Sequence, residues 1–256
     1  MQTRILARVG LALLPTMALA GCDGADWPLS VNDTQVETRA FEPGGQFTLE
    51  NVNGRVTVAT WSEPRVRIEA DKAASSRMRL EQLRIEIDGE GRRVSVRTRA
   101  PRGWGWFSGG GTKVDYRITL PADADVRVST VNGRVTIEGM SGPVNVSTTN
   151  GRVEITDARG GVEASTVNGG ITARYRALDA EAHHRLSTTN GPIAVWVPGG
   201  EGGRVAARTI NGGIHCELPL EATDRTGRHR LEGRLGKGKG SLELRTVNGG
   251  IRINRG

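Results

Sequence analysis

The chain of 256 residues is long enough for one or two domains with a buried core. Glycine supplies 36 residues, aromatics only 4% and charged residues 25%. A collagen repeat is excluded by the lack of a Gly-X-Y period, and so much glycine with abundant Val and Thr argues against a helical bundle and for an all-β fold rich in tight turns. The net charge of +7 falls to +5 without Arg4 and Arg8, and because nearly balanced charges are spread along the strands, they describe a solvated surface; no nucleic-acid partner is expected.

Residues Met1 to Gly21 place Arg4 and Arg8 ahead of an apolar run, Val9 to Ala20. That run is about 12 residues, too short for the ~20 that cross a bilayer and the right size for the core of a signal peptide. It closes in Leu19-Ala20-Gly21-Cys22, which resembles the bacterial lipoprotein box. The resemblance implies cleavage before Cys22 and lipidation of its thiol, giving an extracytoplasmic, membrane-anchored lipoprotein of the cell envelope, since stable anchoring takes more than one acyl chain. With Cys22 acylated, Cys216 has no partner within the chain, so neither a disulfide framework nor a cysteine metal site is expected. Residues 22–37 are polar, carry Gly, Asp, Asn and Pro and show no apolar period; they read as a tether.

Residues 38–120 form an N-terminal β region. Alternating patterns predict strands at Phe47–Glu50, Arg55–Trp61, Arg65–Ala70, Leu83–Ile87, Val94–Thr98 and Val114–Leu120. One helix is predicted at Asp71–Gln82, with Ala73, Ala74, Met78 and Leu80 as packing residues. Between the last two strands the glycine-rich stretch Pro101–Gly111 gathers Trp104, Trp106 and Phe107, which serve either as an exposed partner-binding cluster or as a plug over one end of the fold.

Residues 121–256 are a repeat. Asn-Gly dipeptides occur at Asn53, Asn132, Asn150, Asn168, Asn190, Asn211 and Asn248, and from Asn132 the gaps are 18, 18, 22, 21 and 37. The unit Val126–Ile137 recurs at Val144–Ile155, Val162–Ala173, His184–Val195, Val205–Cys216 and Leu242–Ile253, each being two alternating strands joined through Thr-x-Asn-Gly. Two architectures fit. Asn-Gly between strands is a hairpin signal, because both residues accept the positive φ of a type I′ turn, and Val128 would then face Ile137. Alternatively the chain turns a corner at each Asn-Gly and coils, so that successive units stack as a β-solenoid. The coil is favoured, because matched Thr130, Thr148, Thr166, Thr188, Thr209 and Thr246, and matched Asn132, Asn150, Asn168, Asn190, Asn211 and Asn248, are explained when like side chains hydrogen-bond to their copies one coil away. The expected fold is therefore all-β, a β-solenoid of roughly 20-residue repeats capped by the N-terminal β region, since an uncapped end would offer unpaired edges.

The segments Phe47–Trp61, Tyr116–Pro121 and the Thr-x-Asn-Gly-x-Val/Ile repeats resemble the bacterial putative adhesin family, a domain of unknown function built from β-strand repeats. The resemblance covers residues 38 to 256 and rests on turn and core positions. It implies a fold and an adhesion-like role, and carries no catalytic residue.

The remaining chemistry is sparse. Glu138, Glu154, Asp157, Glu163 and Glu243 occupy outward positions without recurring as a pair, so the acid–base couple of a sugar-cleaving enzyme is not evident. His183 and His184 are adjacent on a strand, point to opposite faces and do not share an ion with Glu181 or His215; no metal and no cofactor are expected. Cys216 alternates with Ile214 and Leu218 as a buried apolar residue. Gly233–Gly240 contains Gly-Lys-Gly-Lys-Gly but lacks the Gly-Lys-Ser/Thr ending and a following helix, so it is no phosphate loop. Arg228, Arg230, Arg234, Lys237 and Lys239 instead mark a basic loop open to anionic partners. The expectation is a non-catalytic, lipid-anchored interaction or adhesion module, or an envelope-stress accessory, whose partners are the membrane and an envelope protein or polysaccharide. The alternatives are a carbohydrate-active β-helix enzyme and a self-assembling envelope scaffold.

Overall fold

The computed structural model describes residues 31–99, 111–178, 181–198, 203–222 and 227–256. The signal peptide of residues 1–21, Cys22 and the aromatic trio Trp104, Trp106 and Phe107 lie outside the described residues. The elements run β1 (Val31–Glu50), β2 (Val56–Trp61), β3 (Arg65–Ala74), α1 (Arg77–Gln82), β4 (Arg84–Asp88), β5 (Gly91–Arg99), β6 (Thr112–Pro121), β7 (Asp125–Asn132), β8 (Val135–Glu138), β9 (Val144–Asn150), β10 (Val153–Ala158), β11 (Val162–Asn168), β12 (Ile171–Tyr175), β13 (His183–Asn190), β14 (Ile193–Val197), β15 (Gly203–Arg208), β16 (Ile214–Cys216), β17 (Glu221–Ala222), β18 (Arg230–Leu235), β19 (Ser241–Asn248) and β20 (Ile251–Arg255).

Each coil contributes one strand to each of two sheets that enclose the core. The first sheet runs, in spatial order, β4, β5, the second half of β1, β7, β9, β11, β13, β19, β15, β18 and β17. The second runs from the first half of β1 through β3, β6, β2, β8, β10, β12, β14 and β20 to β16. The two strands of a unit never pair with each other. β7 pairs in parallel with β9, Val126 opposite Val144 and Thr130 opposite Thr148, and β8 pairs in parallel with β10. The hairpin alternative is therefore excluded, and the fold is a β-solenoid.

Period-two alternation makes each strand wet on one face and buried on the other. The inward rows stack like on like: Phe47, Val126, Val144 and Val162 in one, and Val58, Ile137, Ile155, Ala173, Val195 and Ile253 in another, all buried. One rung departs from this pattern. His184 takes the place of a valine and meets Tyr175 edge-on at 4.6 Å between ring centroids. The neighbouring strand bulges at Asp157, whose φ of 55° is the one positive value among described non-glycine residues. The bulge shifts the register so that Ala158, rather than a larger side chain, stands opposite Tyr175.

Three boundaries differ from the sequence reading. Residues 31–37, expected in the tether, form the start of β1 and pair antiparallel with β3, Val31 opposite Ala74; their alternation is polar because this edge strand is wet. The predicted helix shrinks to α1, since Asp71–Ala74 continue β3 against β6 and Ser76 caps the helix by accepting from the Arg79 amide. Within it Leu80 is buried but Met78 is exposed. The coil also begins earlier than residue 121: the second half of β1 and β2 already form a full rung, in register with β7 and β8.

The coils do not follow chain order either. The β1–β2 rung lies between the β5–β6 rung and the β7–β8 rung, and the C-terminal β19–β20 rung lies between the β13–β14 and β15–β16 rungs. Both end segments of the repeat are thus inserted with a strand on either side, and both ends of the first sheet finish in antiparallel strands, β4 and β17–β18. The open edge left to the second sheet at the C-terminal end is the three-residue β16, short enough to discourage edge-to-edge pairing. The 37-residue spacing before Asn248 is the length of chain needed to run out and return.

Candidate functional site

The most regular exposed feature of the molecule is the corner where each coil passes from one sheet to the other. Its side chains are set by Thr-x-Asn-Gly. The Thr points inward, and Thr130, Thr148, Thr166, Thr188, Thr209 and Thr246 are all buried. They do not bond to one another as expected. Instead hydroxyls donate to backbone carbonyls of the adjacent corner, Thr188 to Gly169 at 2.9 Å, Thr246 to Gly191 at 3.0 Å and Thr209 to Gly249 at 2.8 Å, whereas the buried Thr130 hydroxyl has no hydrogen-bond partner among the described residues.

The Asn row behaves as the sequence implied. In spatial order Asn53, Asn132, Asn150, Asn168, Asn190, Asn248 and Asn211 form one chain of amides, each donating from Nδ2 to the preceding Oδ1 at 2.7–2.8 Å. Asn53 was a seventh member that repeat-counting left outside the coil. The clue was Asn51-Val52-Asn53-Gly54, in which Asn51 replaces Thr; it is buried and donates to the Val114 carbonyl at 3.0 Å. Thr98 donates to the Asn51 side-chain oxygen at 2.9 Å and lies 2.7 Å from the Tyr116 hydroxyl, closing this end of the core. Burial pushes the Tyr116 phenol up to about 12, against a smaller opposing effect of the Thr98 bond.

Stacking forbids a side chain at every corner glycine; Gly54 and Gly191 also hold positive φ, 122° and 156°, whereas the other five do not. Gly151 lies outside the positive-φ set, yet a Cβ there would overlap the Gly133 carbonyl oxygen and stand 2.8 Å from its carbon. The Gly amides carry the ladder onward, Gly133 to Asn150, Gly151 to Asn168 and Gly169 to Asn190, at 2.9–3.1 Å. Each Asn amide spends one N–H and one lone pair along the stack, leaving another of each toward solvent at every rung, about 4.8 Å apart. Between Thr (Asn51 in the first corner) and Asn sits an outward residue, Val52, Val131, Thr149, Val167, Thr189, Val247 or Ile210, and of these Val52, Val167, Thr189 and Ile210 are exposed. The corner is thus a straight ridge of β-branched side chains beside a row of amides.

The expected basic loop is part strand, part turn. Arg230 and Arg234 stand on β18, and Arg234 closes the following turn by donating to the Gly238 carbonyl at 2.9 Å, with Lys237 and Lys239 exposed on it. Arg228 precedes β18 in a turn. Gly233 packs tightly against Leu220, whose Cβ would stand 3.0 Å from an added Cβ.

The carboxylates separate. Glu163 and Glu243 lie on the outer face of the first sheet and Glu138 and Glu154 on that of the second. Glu163 accepts from Asn145 at 3.1 Å, and Glu243 pairs with Arg185 at 3.1 Å and with Arg245. His183 contacts the Ser241 hydroxyl at 2.9 Å, His184 points into the core and His215 faces outward on β16. Among the described residues no three His, Cys, Asp or Glu side chains converge on a metal-sized site. Cys216 is half-buried in register with Ile253, and burial raises its thiol pKa, which suits a packing residue and not a nucleophile.

A two-sheet parallel β-solenoid with an amide ladder along one exposed corner is the class of protein these features define. The chain belongs to the Toastrack DUF4097 family, whose model matches residues 46–254. A crystal structure of a putative cell adhesion protein from Clostridium sporogenes superimposes with a TM-score of 0.50 at 13% identity, covering 88% of this chain and all of that one. A putative adhesin from Bacteroides fragilis covers 86% of this chain and 97% of its own at 8% identity, with a TM-score of 0.39. No curated protein sequence matches the chain.

Proposed function

We propose that the protein is a non-catalytic interaction module of the bacterial cell envelope, held to a membrane through acylated Cys22 and presenting the solenoid to an envelope polysaccharide or protein. The observation that carries this reading is the corner ridge: every rung offers the same donor, acceptor and β-branched side chain at one spacing, which suits repeated weak contacts with an extended partner. The name given to the Clostridium sporogenes protein agrees with an adhesive role. The antiparallel closing strands speak against end-to-end self-assembly, and the separated carboxylates, Glu243 ion-paired with Arg185 and Glu163 bonded to the Asn145 amide, speak against glycoside cleavage.

The anchor is tested by Cys22→Ala in cells fed a labelled fatty acid: the label and membrane retention should be lost, and undiminished labelling refutes lipidation. The module is tested by photocrosslinking from the corner, at Val167 and Ile210. A product seen in whole cells and lost when the groups are moved to Val36, on the wet edge strand, supports the reading; equal yield from both places refutes corner recognition.

A further inference from the structure

The inserted C-terminal rung assembles a group that sequence spacing does not show. Along one outward row of the first sheet run Ser129, Ser147, Ser165 and Ser187, and the row then continues as Arg245, Arg208 and Arg230. Neighbouring strands are about 4.8 Å apart, so three guanidinium side chains rise from directly opposed positions, an arrangement that repels unless countercharge is supplied. The countercharge at hand is already shared. Glu243 serves Arg185 and Arg245, and Glu232 serves Arg230 and Arg204. Between those two glutamates the central strand carries Ala206, which leaves Arg208 without a carboxylate at the matching position of its own strand. Above this small side chain opens a depression of about 190 Å³, walled by Arg204, Arg208, Arg230, Arg245 and the two glutamates.

We propose that this depression binds a phosphate group. Four arginines against two glutamates leave a local surplus matching a phosphate dianion, and the planar guanidinium fork meets phosphate oxygens through paired N–H bonds, as a point charge does not. The glutamates are held back by their own arginines, and the row of serines leaves the approach along the sheet low and polar. The inference deepens the reading of the chain as an interaction module by naming a ligand class at one end of the first sheet; it does not depend on the membrane anchor.

The test is titration calorimetry of the full chain, in the Cys22→Ala background, with inorganic tripolyphosphate at low ionic strength. Binding should weaken at least tenfold in Arg208→Gln, recover in part in Arg208→Lys, which restores charge without the fork, and stay unchanged in Arg84→Gln at the opposite end of the sheet. Phosphatidylcholine vesicles with and without phosphatidylglycerol form the second arm. Arg208-dependent sedimentation requiring phosphatidylglycerol assigns the phosphate to a lipid headgroup, whereas tripolyphosphate binding without it assigns a soluble or polymeric phosphate. Absence of binding to either probe, or equal affinities for wild type and Arg208→Gln, overturns the proposal. Arg208→Gln should also unfold at or above the wild-type midpoint without phosphate, because it removes a like charge; a folded variant that loses phosphate while keeping its corner crosslinks separates this site from the module reading.

Discussion

Gly151→Ala asks whether stacking or torsion selects the glycine of each corner. The Gly151 backbone is outside the left-handed region, so alanine is permitted by its own φ. Its methyl, however, would collide with the carbonyl of Gly133 in the adjacent corner and approach the Thr148 hydroxyl to 3.1 Å. Relief requires the two corners to separate, which over-packing data place at about 1–3 kcal/mol. Separation also weakens the bonds that span the same gap, from the Gly133 amide to the Asn150 carbonyl, 3.1 Å, and from the Asn150 side-chain amide to Asn132 Oδ1, 2.8 Å, at about 1 kcal/mol each. The total is about 3–5 kcal/mol, and at the ~2–4 °C per kcal/mol typical of chains this size the thermal midpoint should fall by about 6–20 °C. Gly213→Ala is the control: it sits in another corner, beside a stacked glycine, and its added Cβ meets nothing within 4 Å, so it should leave stability unchanged or raise it by about 0.4–1 kcal/mol through the unfolded chain. Thermal and urea unfolding followed by circular dichroism measure both. A Gly151→Ala midpoint equal to wild type, or equal losses in the two variants, would refute the stacking argument.

Asn150→Gly keeps the corner backbone but removes two amide bonds, to Asn132 and from Asn168; because the row is exposed, water replaces part of each, and the loss should be about 0.5–1.5 kcal/mol by urea unfolding, with a wild-type-like variant counting against the ladder. Asn150→Leu should cost a similar amount, less than a buried site would, for the same reason. Thr188→Val conserves shape but leaves the Gly169 carbonyl without its buried hydroxyl donor, so a loss of about 1–3 kcal/mol is expected, and an unchanged midpoint would show that the hydroxyl contributes nothing. Alkaline titration follows from burial: the chain has two tyrosines, Tyr116 raised to about 12 and Tyr175 raised by its full burial. A phenol with a raised folded pKa favours the neutral form, so its contribution is intact below the ordinary value of 10 and is lost as pH climbs through the folded value. Phenolate absorbance should therefore be nearly absent at pH 10.5 and appear together with unfolding near pH 12; ionisation at pH 10 in the folded protein would contradict the buried placement.

The sequence alone determined whatever repeats locally. Alternation located the strands of the repeat and their buried faces, though not the start of β1 or the strands β17 and β18; the matched Asn positions announced the amide ladder, and the change of pattern around Asp71–Gln82 located the single described helix to within one end. These signals are legible because a side chain's face on a strand depends only on parity, and a rung's identity only on its neighbours in the unit. Tertiary structure decided everything that depends on which coil lies beside which. Parallel strands carry nearly the same ladder whatever copy they meet, so Thr-x-Asn-Gly is indifferent to order, and nothing local says that the coil of Asn248 lies between those of Asn190 and Asn211. That order follows from closing both ends of the first sheet with antiparallel strands and giving the end segments neighbours on both sides. It also brings Arg208 and Arg245, separated in sequence and unremarkable there, beside Arg230 of the expected basic loop in one cluster. The same holds for Gly133, Gly151, Gly169, Gly212 and Gly249, whose need is invisible in their own torsions because the atom that forbids a side chain belongs to the adjacent corner.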